Sequence, residues 1–456
     1  MTPKGNAAAQ NVQRTSVNKG SGFVLPRQRL RHIGAWGRIE GLPMPAPPPH
    51  AETPCAPSTP GLRAVWLAVA LSMGAAVSLG ITRFAYALLL PPMRGDLGWS
   101  YTLAGAMNTV NALGYLLGAL ATPVLLRRVA PGAVLLAGAV LATVFMGLSG
   151  FFLDAAPLLL QRLLAGVASA LVFIAGGLLA ARLGAREPGR SGLLLGLYYG
   201  GTGWGISVSA LLVPAVLEAA PAPHAWTWAW WALAGACALA TALLAWPARA
   251  LRTLAAPAAG AASDPAAPRR VRWRALAPAL LGYGLFGVGY IGYMTFVVAL
   301  LREQGASGTA VTWFYALLGL AVVLSSRIWA GLLDRSRGGQ ALALLNGLLG
   351  VATVLPALTS AWPVVLGSGL LFGGVFLSVV ASTTALVRHN LPQALWASGI
   401  SAFTIVFAAG QIVGPTVVGW IADGPGGLAR GLVFSACALW VGALVASRQK
   451  PLAAGA

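Results

Sequence analysis

Long apolar stretches, separated by short polar segments, dominate the chain after Gly61. A membrane-spanning helix needs about 20 predominantly apolar residues, and twelve stretches of the chain reach that length. Closed barrels of β-strands can also span a bilayer, but these stretches are too long and too continuous for strands of alternating polarity. The pattern therefore predicts an all-α polytopic membrane protein with twelve transmembrane helices.

The predicted helices form two groups of six, joined by a longer segment rich in Ala, Pro and Arg. Residues 1–61 are polar, basic and rich in Pro, so we predict a disordered cytoplasmic tail before the first group. The other predicted units are a six-helix bundle at 62–246, a cytoplasmic linker at 247–274, a second six-helix bundle at 275–447 and a short tail at 448–456. The helices are predicted at 64–91, 100–126, 131–152, 155–182, 190–217, 225–246, 275–301, 309–333, 340–359, 361–387, 395–421 and 428–447.

Charged residues are scarce, and the basic ones are unevenly placed. Only 9% of the residues are charged and 57% are hydrophobic, while the net charge of +20 comes from basic patches between the apolar stretches. With the N-terminus in the cytoplasm, only Arg94, Arg302 and Arg430 fall in outside loops, as the positive-inside rule requires. We therefore predict a multi-pass protein with both termini in the cytoplasm, and we expect no nucleic-acid partner.

The sequence offers no chemistry for an enzyme or a metal site. Its three cysteines, Cys55, Cys237 and Cys437, are divided between a polar tail and two apolar stretches, so they suggest neither a disulfide framework nor a metal cluster. The chain contains no GxxxxGK[ST] loop for ATP, and no histidine–acid cluster. We predict no catalytic residue, no metal and no cofactor.

Arg83 is the strongest candidate for a binding residue. It lies about 12 Å along the first helix from Pro91, too far for its side chain to reach the membrane boundary. Its helical neighbours Ala76, Gly80 and Ala87 are small, which suits a helix contact or a cavity. A charge at this depth indicates a functional site by default, here a counter-charge for an anionic substrate. The alternative is a conformational anchor that bonds backbone carbonyls, and the sequence does not decide between the two.

Polar and aromatic side chains recur on single helix faces and predict a central cavity. Asn108, Asn111 and Tyr115 share a face of the second helix, and Tyr290 and Tyr293 share one of the seventh. Because an unpaired amide is costly in hydrocarbon, these groups should face protein or water. Their alternative role is hydrogen bonding between helices. The predicted substrate-binding residues are Arg83, Tyr86, Asn108, Asn111, Tyr115, Tyr199, Tyr290, Tyr293 and Gln411.

Two motifs and an N-terminal signature resemble the major facilitator superfamily. AGLLDRSRGG at 330–339 is similar to its loop motif G-x-L-x-D-R-x-G-R, with Ala330 for the first Gly and Arg337-Gly338 inverted. RLLAGVASA at 162–170 resembles its fourth-helix motif. GITRFAYALLLPPM followed by GWSYTLAGAMNTVNALGYLLGA is similar to the YbfB/YjiJ-like branch, and the resemblance covers about residues 62–447. It implies the major facilitator fold, two six-helix pseudo-repeats, in a secondary transporter of the bacterial inner membrane.

The resemblance adds expectations for individual residues. Arg162 joins the predicted substrate site, with a structural role equally open. Asp334, Arg335 and Arg337 are expected to control the inward gate by pairing across helices and with helix ends. No acid falls at a predicted helix midpoint, so coupling to a proton or another ion stays open.

The function predicted from these features is secondary active transport of a small organic solute by alternating access, with an anion preferred. The alternatives are an efflux carrier for hydrophobic compounds and a non-transporting membrane receptor on the same fold. We expect a monomer whose partners are the small-molecule substrate and the lipid bilayer.

Overall fold

The computed structural model describes residues 60–187, 190–252, 271, 273–392 and 395–452. The regular structure of these residues is helical throughout, and twelve helices are long and apolar enough to cross a membrane. The predicted all-α fold and the predicted number of membrane helices are therefore confirmed.

The helices follow one another in two successive groups, which we call the first and second halves. The first half contains α1 (Pro60–Ala75), a π-helical segment (Ala76–Phe84), α2 (Tyr86–Leu97), α3 (Tyr101–Leu126), α4 (Pro131–Ser149), α5 (Ala155–Ala185), α6 (Ser191–Ala219) and α7 (Ala225–Ala250). The second half contains α8 (Trp273–Glu303), α9 (Gly308–Ile328), α10 (Ala330–Arg335), α11 (Gln340–Leu358), α12 (Trp362–Asn390), α13 (Trp396–Ala422) and α14 (Gly427–Ser447). Helix α1, the π-helical segment and α2 together form the first span, Leu62–Leu97.

The first span is longer than the sequence predicted. We expected it to end at Pro91, but the helix continues through Pro91 and Pro92 to Leu97. Each proline removes one backbone donor without ending the helix. The helix ends instead at Gly98, which has a φ of 63° and donates its N–H to the Arg94 carbonyl. A glycine in the left-handed conformation is a common helix terminator, and here it sets the boundary that we had assigned to proline.

Each half is held together by close helix pairs. In the first half α3 packs on α5, α4 on α5 and α7, and α1 on α6; in the second, α8 packs on α13 and α14, α11 on α12 and α14, and α9 on α12. Small residues allow these backbones to touch. At Gly114 of α3, any Cβ atom would collide with the Leu163 carbonyl of α5, so glycine is required for the observed approach.

The two halves meet mainly at one end of the molecule. We call it the α2–α3 end, after the turn at Gly98–Ser100, and we call the opposite end, which carries the segment between α7 and α8, the linker end. Contacts between the halves join α2 to α8, α3 to α13 and α6 to α9. On α3 the cross-half hydrogen bond furthest from the α2–α3 end involves Thr109, about 12 Å from the start of the helix. Among the described residues, the halves share no hydrogen bond in the part of the molecule nearest the linker end.

Candidate functional site

Arg83 lies in the π-helical segment, close to the middle of the first span. It is about 21 Å along the helix from Leu97, so it is deeper than the 12 Å expected when the helix was thought to end at Pro91. π-helical turns are rare and often occur at functional sites. The depth of Arg83 and its unusual backbone therefore both make this segment a candidate site.

Side chains from both halves bind the backbone of the π-helical segment. Within the segment, Thr82 Oγ1 donates to the carbonyl of Val77, five residues earlier. Three more bonds come from distant helices: Arg162 Nη1 to the Thr82 carbonyl at 2.6 Å, Ser169 Oγ to the Ser78 carbonyl at 2.6 Å, and Tyr315 Oη to the Phe84 carbonyl at 2.8 Å. Because Tyr315 belongs to α9, one of these bonds joins the segment to the second half.

The Arg83 guanidinium is buried and lacks acceptors. The side chain is only 2% exposed, and neither Nε nor Nη2 finds a hydrogen-bond acceptor among the described residues. Its Cζ atom lies 5.8 Å from the centre of the Tyr115 ring, which offers a cation–π contact. A buried charge without paired acceptors is costly, which makes this guanidinium a candidate binding group.

Arg162 is equally buried, but its guanidinium is hydrogen-bonded to the protein. Its guanidinium donates to the carbonyl of Thr82, to Asn108 Oδ1 at 2.8 Å and, more weakly, to the Met107 carbonyl at 3.4 Å. It also lies over the Tyr86 ring, with Cζ 5.0 Å from the ring centre. Of the two roles left open by the sequence, these contacts favour the structural one for Arg162.

Four other predicted site residues have their polar groups occupied within the protein. The Tyr86 hydroxyl donates to the Ala104 carbonyl, and the Asn111 amide donates to the Arg162 carbonyl. The Asn108 amide donates to Thr295 Oγ1 across the two halves, at 2.9 Å. Tyr293 Oη hydrogen-bonds Ser368 Oγ inside the second half. The polar groups of these four residues, like those of Arg162, are therefore not free to bind a solute.

The remaining predicted residues have polar or aromatic groups that could still bind a solute. Tyr115 contacts the Arg83 guanidinium, and its ring lies against Phe173, which lies against Tyr199. Tyr290 stacks on Phe376, which packs edge-on against Phe84, the residue after Arg83. Tyr199 is 39% exposed, which makes it the most accessible of these rings. Gln411, on α13, is 2% exposed, and its Oε1 has no donor among the described residues. Arg83 is thus linked through aromatic contacts to Tyr115 and Tyr199 on one side and to Tyr290 on the other.

Aromatic rings surround this group in each half. The first-half aromatic cluster contains Tyr115, Phe173, Tyr198 and Tyr199, with neighbouring ring centres 5.2–6.5 Å apart. The second-half aromatic stack contains Tyr283, Phe286, Tyr290, Phe376 and Phe407, and several of its rings are nearly parallel. The sequence identified Tyr115, Tyr199 and Tyr290, but Tyr198, Phe173, Phe376 and Phe407 were missed because single aromatic residues are common in apolar helices.

The predicted gating residues lie at the linker end. Asp334, Arg335 and Arg337 are exposed, and the described residues show no ion pair there. The backbone carbonyl of Arg337 accepts a hydrogen bond from Asn390 Nδ2, within the same half. The one ion pair in the described part of the chain joins His224 to Asp96, within the first half. Cross-half pairing by the gating residues therefore stays a prediction for a different conformation.

The α2–α3 end carries a cross-half network that the sequence did not predict. Asp423, which caps α13, accepts hydrogen bonds from the Tyr101 and Thr102 backbone N–H groups and from the Thr102 hydroxyl. The Tyr101 hydroxyl also donates to Glu303, at the end of α8, and the Arg94 guanidinium lies 3.7 Å from the centre of the Tyr101 ring. Two carboxylates of the second half thus hold the first turn of α3.

The charge on Asp423 strengthens this network. Burial alone would raise the pKa of its carboxyl group, but the hydrogen bonds from Thr102 and Tyr101 and the nearby Arg94 charge lower that pKa below its usual value. Asp423 is therefore ionised at neutral pH and sits at the positive end of the α3 helix dipole. In the sequence, Asp423 directly follows one helix, and Ser-Tyr-Thr begins another helix far away. No local pattern connects the two.

Comparison with known proteins identifies the family. A family model described as "Uncharacterised MFS-type transporter YbfB" matches residues 75–447. The chain belongs to this family of major facilitator transporters. The predicted fold, the predicted branch and the prediction that the protein is a membrane transporter and not an enzyme are therefore confirmed.

Solved structures of other transporters share the fold of this YbfB-type transporter at low sequence identity. A mutant of the nucleoside transporter NupG has a TM-score of 0.65 at 12% identity, with 83% of this chain and 98% of that chain covered. A bacterial homologue of the human lysosomal transporter Spinster, inward-facing and unoccupied, has a TM-score of 0.62 at 14% identity, with coverage of 84% and 96%. The human organic anion transporter MFSD10 has a TM-score of 0.54 at 16% identity, with coverage of 86% and 99%. No curated protein matches the sequence.

Proposed function

We propose that this YbfB-type transporter is a secondary active carrier of the bacterial cytoplasmic membrane, works by alternating access and moves a small organic anion. The observation that carries the anion is the buried Arg83 guanidinium, whose Nε and Nη2 have no acceptor among the described residues. A carboxylate would supply both a counter-charge and two acceptor oxygens, which match the fork of an arginine.

The described part of the chain does not supply this counter-charge at the depth of Arg83. The described acidic side chains lie at helix ends, in turns or in the short helix α10, as the positions of Asp96, Glu303 and Asp423 illustrate. Tyr115 contacts the Arg83 guanidinium through its ring, and the charge that acts on Arg83 within the described residues is the cation of Arg162, not an acid. An anionic solute would therefore replace the missing partner and stabilise the site as it binds.

One-sided closure of the two halves supports alternating access. The α2–α3 end is closed by Asp423, Glu303 and the first turn of α3, whereas Asp334 and its neighbours at the linker end are exposed. With both termini in the cytoplasm, the linker end faces the cytoplasm and the solute reaches Arg83 from that side. In the opposite conformation Asp334, Arg335 and Arg337 would pair across the halves.

The proposal is tested with the full-length protein in lipid vesicles. We expect an organic acid that binds the parent to bind Arg83→Gln roughly 30-fold more weakly or worse, because a desolvated charge partner is lost. Arg83→Lys keeps the charge but loses the fork, so it should fall between the two. Arg63→Gln removes an exposed arginine at the start of the first span and serves as the matched control. An acid that Arg83→Gln binds and transports as well as the parent would refute the anion site.

The aromatic groups around Arg83 favour a second candidate, the efflux of neutral hydrophobic compounds. Tyr199 and Phe173 offer apolar contact area and need no charge on the solute. Flux of uncharged aromatic compounds that persists in Arg83→Gln, together with an absence of flux for organic acids in the parent, would select this candidate. Repeating the flux with and without a pH gradient tests coupling to protons in either case.

A further inference from the structure

We infer that the solute is a planar aromatic monocarboxylate, with its carboxylate at Arg83 and its ring against the aromatic side chains of both halves. The inference rests on the proposed function, because it names the class of anion that the same site would take. Three observations carry it: how few polar groups near Arg83 are free, how the aromatic rings are arranged, and how close those rings are to the charge.

The two asparagines and the second arginine of the predicted site are already hydrogen-bonded, so the free groups beside Arg83 are mainly the hydroxyls of aromatic rings. Asn108, Asn111 and Arg162 are the groups best suited to hydroxyl-rich solutes, and all three are hydrogen-bonded within the protein. A sugar acid would leave several hydroxyl groups without partners in a buried site, which is unfavourable. The unpaired atoms of Arg83 can instead satisfy one carboxylate. The free polar capacity therefore fits a solute with a single charged group and an otherwise apolar body.

The rings of the second-half aromatic stack lie nearly parallel, and Phe407 is the one that keeps part of its surface exposed. Phe286 and Phe407 have their ring centres 5.3 Å apart and are inclined by 9°, and Phe286 and Tyr290 are 4.7 Å apart and inclined by 21°. Tyr290 also stacks on Phe376 at 6.1 Å and 9°. Stacked, parallel rings favour a further planar ring over an aliphatic chain, because offset stacking adds attraction beyond the area that is buried.

The charge and the aromatic rings meet where the two halves face each other. Tyr115 contacts Arg83 from the first half. Phe84, the residue after Arg83, packs edge-on against Phe376 of the second-half aromatic stack, with ring centres 5.9 Å apart, and Phe376 in turn stacks on Tyr290. Tyr199, which is partly exposed, lies against Phe173, and Phe173 lies against Tyr115. A solute that enters along the first-half aromatic cluster would therefore meet rings before it meets the charge.

The first test compares matched acids on the parent protein in lipid nanodiscs. The probes are benzoate and 1-naphthoate, each paired with its saturated analogue, cyclohexanecarboxylate and decahydronaphthalene-1-carboxylate, and gluconate serves as a hydroxyl-rich acid. Binding is measured from the rise in melting temperature with ligand concentration. We expect at least one aromatic acid to bind roughly 3- to 10-fold more tightly than its saturated analogue, as ring stacking predicts. Gluconate should be the weakest of the acids.

Two variants test separately how the aromatic stack and Arg83 contribute to the binding of these acids. Phe407→Leu, in the second-half aromatic stack, should bring the aromatic and saturated acids to within about twofold of each other, while Arg83→Gln should weaken both kinds of acid together. Tyr293→Phe is the matched control, because it keeps the ring and removes only a hydroxyl that is already hydrogen-bonded to Ser368. The melting temperature of each variant without ligand shows whether it is folded. The comparison of acids on the parent stands even if a variant fails to fold.

The outcomes separate this inference from the proposed function. Equal binding of aromatic and saturated acids, both lost in Arg83→Gln, overturns the aromatic class and leaves the anion site standing. Tightest binding of gluconate overturns it as well. No Arg83-dependent binding by any acid overturns both the inference and the proposed function.

Discussion

Arg83 and Arg162 are buried to the same extent in the same half of the molecule, yet their surroundings differ completely. Each is 2% exposed. Arg162 donates to three oxygen atoms of neighbouring helices, whereas Arg83 has two nitrogen atoms without an acceptor among the described residues. The two charges are also close enough to repel each other. Arg162 therefore offsets the cost of its burial with hydrogen bonds, and Arg83 does not.

The difference teaches that a charge inside a membrane span does not by itself mark a binding site. Arg162 bonds the carbonyl of Thr82, the residue next to Arg83, and so helps to fix the π-helical segment. Arg162 thus positions the backbone that carries Arg83. A structural role should appear in the stability of a variant, and a binding role should appear in its affinity for the solute.

The largest effect is expected from Arg162→Ala, which should lower the free energy of unfolding by about 3 kcal/mol or more. The change leaves the Thr82 carbonyl and Asn108 Oδ1 buried without their donor, and each unsatisfied group is costly. Thermal unfolding of the protein in detergent checks this. Arg162→Lys should recover only part of the loss, because one ammonium group cannot replace the planar fork. A melting temperature like that of the parent would show that these hydrogen bonds contribute little.

Arg83→Met should have the opposite sign. Replacing an unpaired buried charge with an apolar side chain of similar length should raise the free energy of unfolding by about 1 kcal/mol or more. The same variant should lose Arg83-dependent binding of organic acids, as expected where a functional residue is kept at the expense of stability. A destabilisation as large as that of Arg162→Ala would instead identify Arg83 as the conformational anchor that the sequence left open.

The comparison of the two arginines also shows how far the sequence could lead. Apolar length alone predicted the twelve membrane helices, because the bilayer imposes that length on every span. Rarity of charge likewise singled out Arg83 and Arg162. Their different roles could not be predicted, because the acceptors of Arg162 lie on α3 and in the π-helical segment and meet it only in the folded bundle.

The closure at the α2–α3 end was missed for a related reason. Asp423 and Tyr101 are more than 300 residues apart in the sequence, and each looks like an ordinary residue at a helix end. Pro91 was misleading, because it suggested that the first helix ends there, whereas the helix ends at Gly98. Local signals therefore located the helices and the buried charges, but partners from distant helices decide what those charges do.

The smallest effect is expected at Tyr315, which binds the Arg83 segment from the second half. Its hydroxyl donates to the Phe84 carbonyl, and this bond must break when the halves separate at the α2–α3 end. Tyr315→Phe should therefore favour that open conformation by about 1 kcal/mol, or about fivefold in population.

Spin labels at Leu153→Cys and Leu358→Cys can measure this shift, because both positions are exposed at the α2–α3 end and belong to different halves. The background must lack the three native cysteines. Tyr293→Phe is the matched control, since its hydroxyl bonds Ser368 within one half and does not depend on how the halves are arranged. An equal shift in both variants would mean that Tyr315 acts only through general packing. A shift confined to Tyr315→Phe would show that the segment carrying Arg83 is held in place by the closure of the two halves, as Arg162 holds it from within one of them.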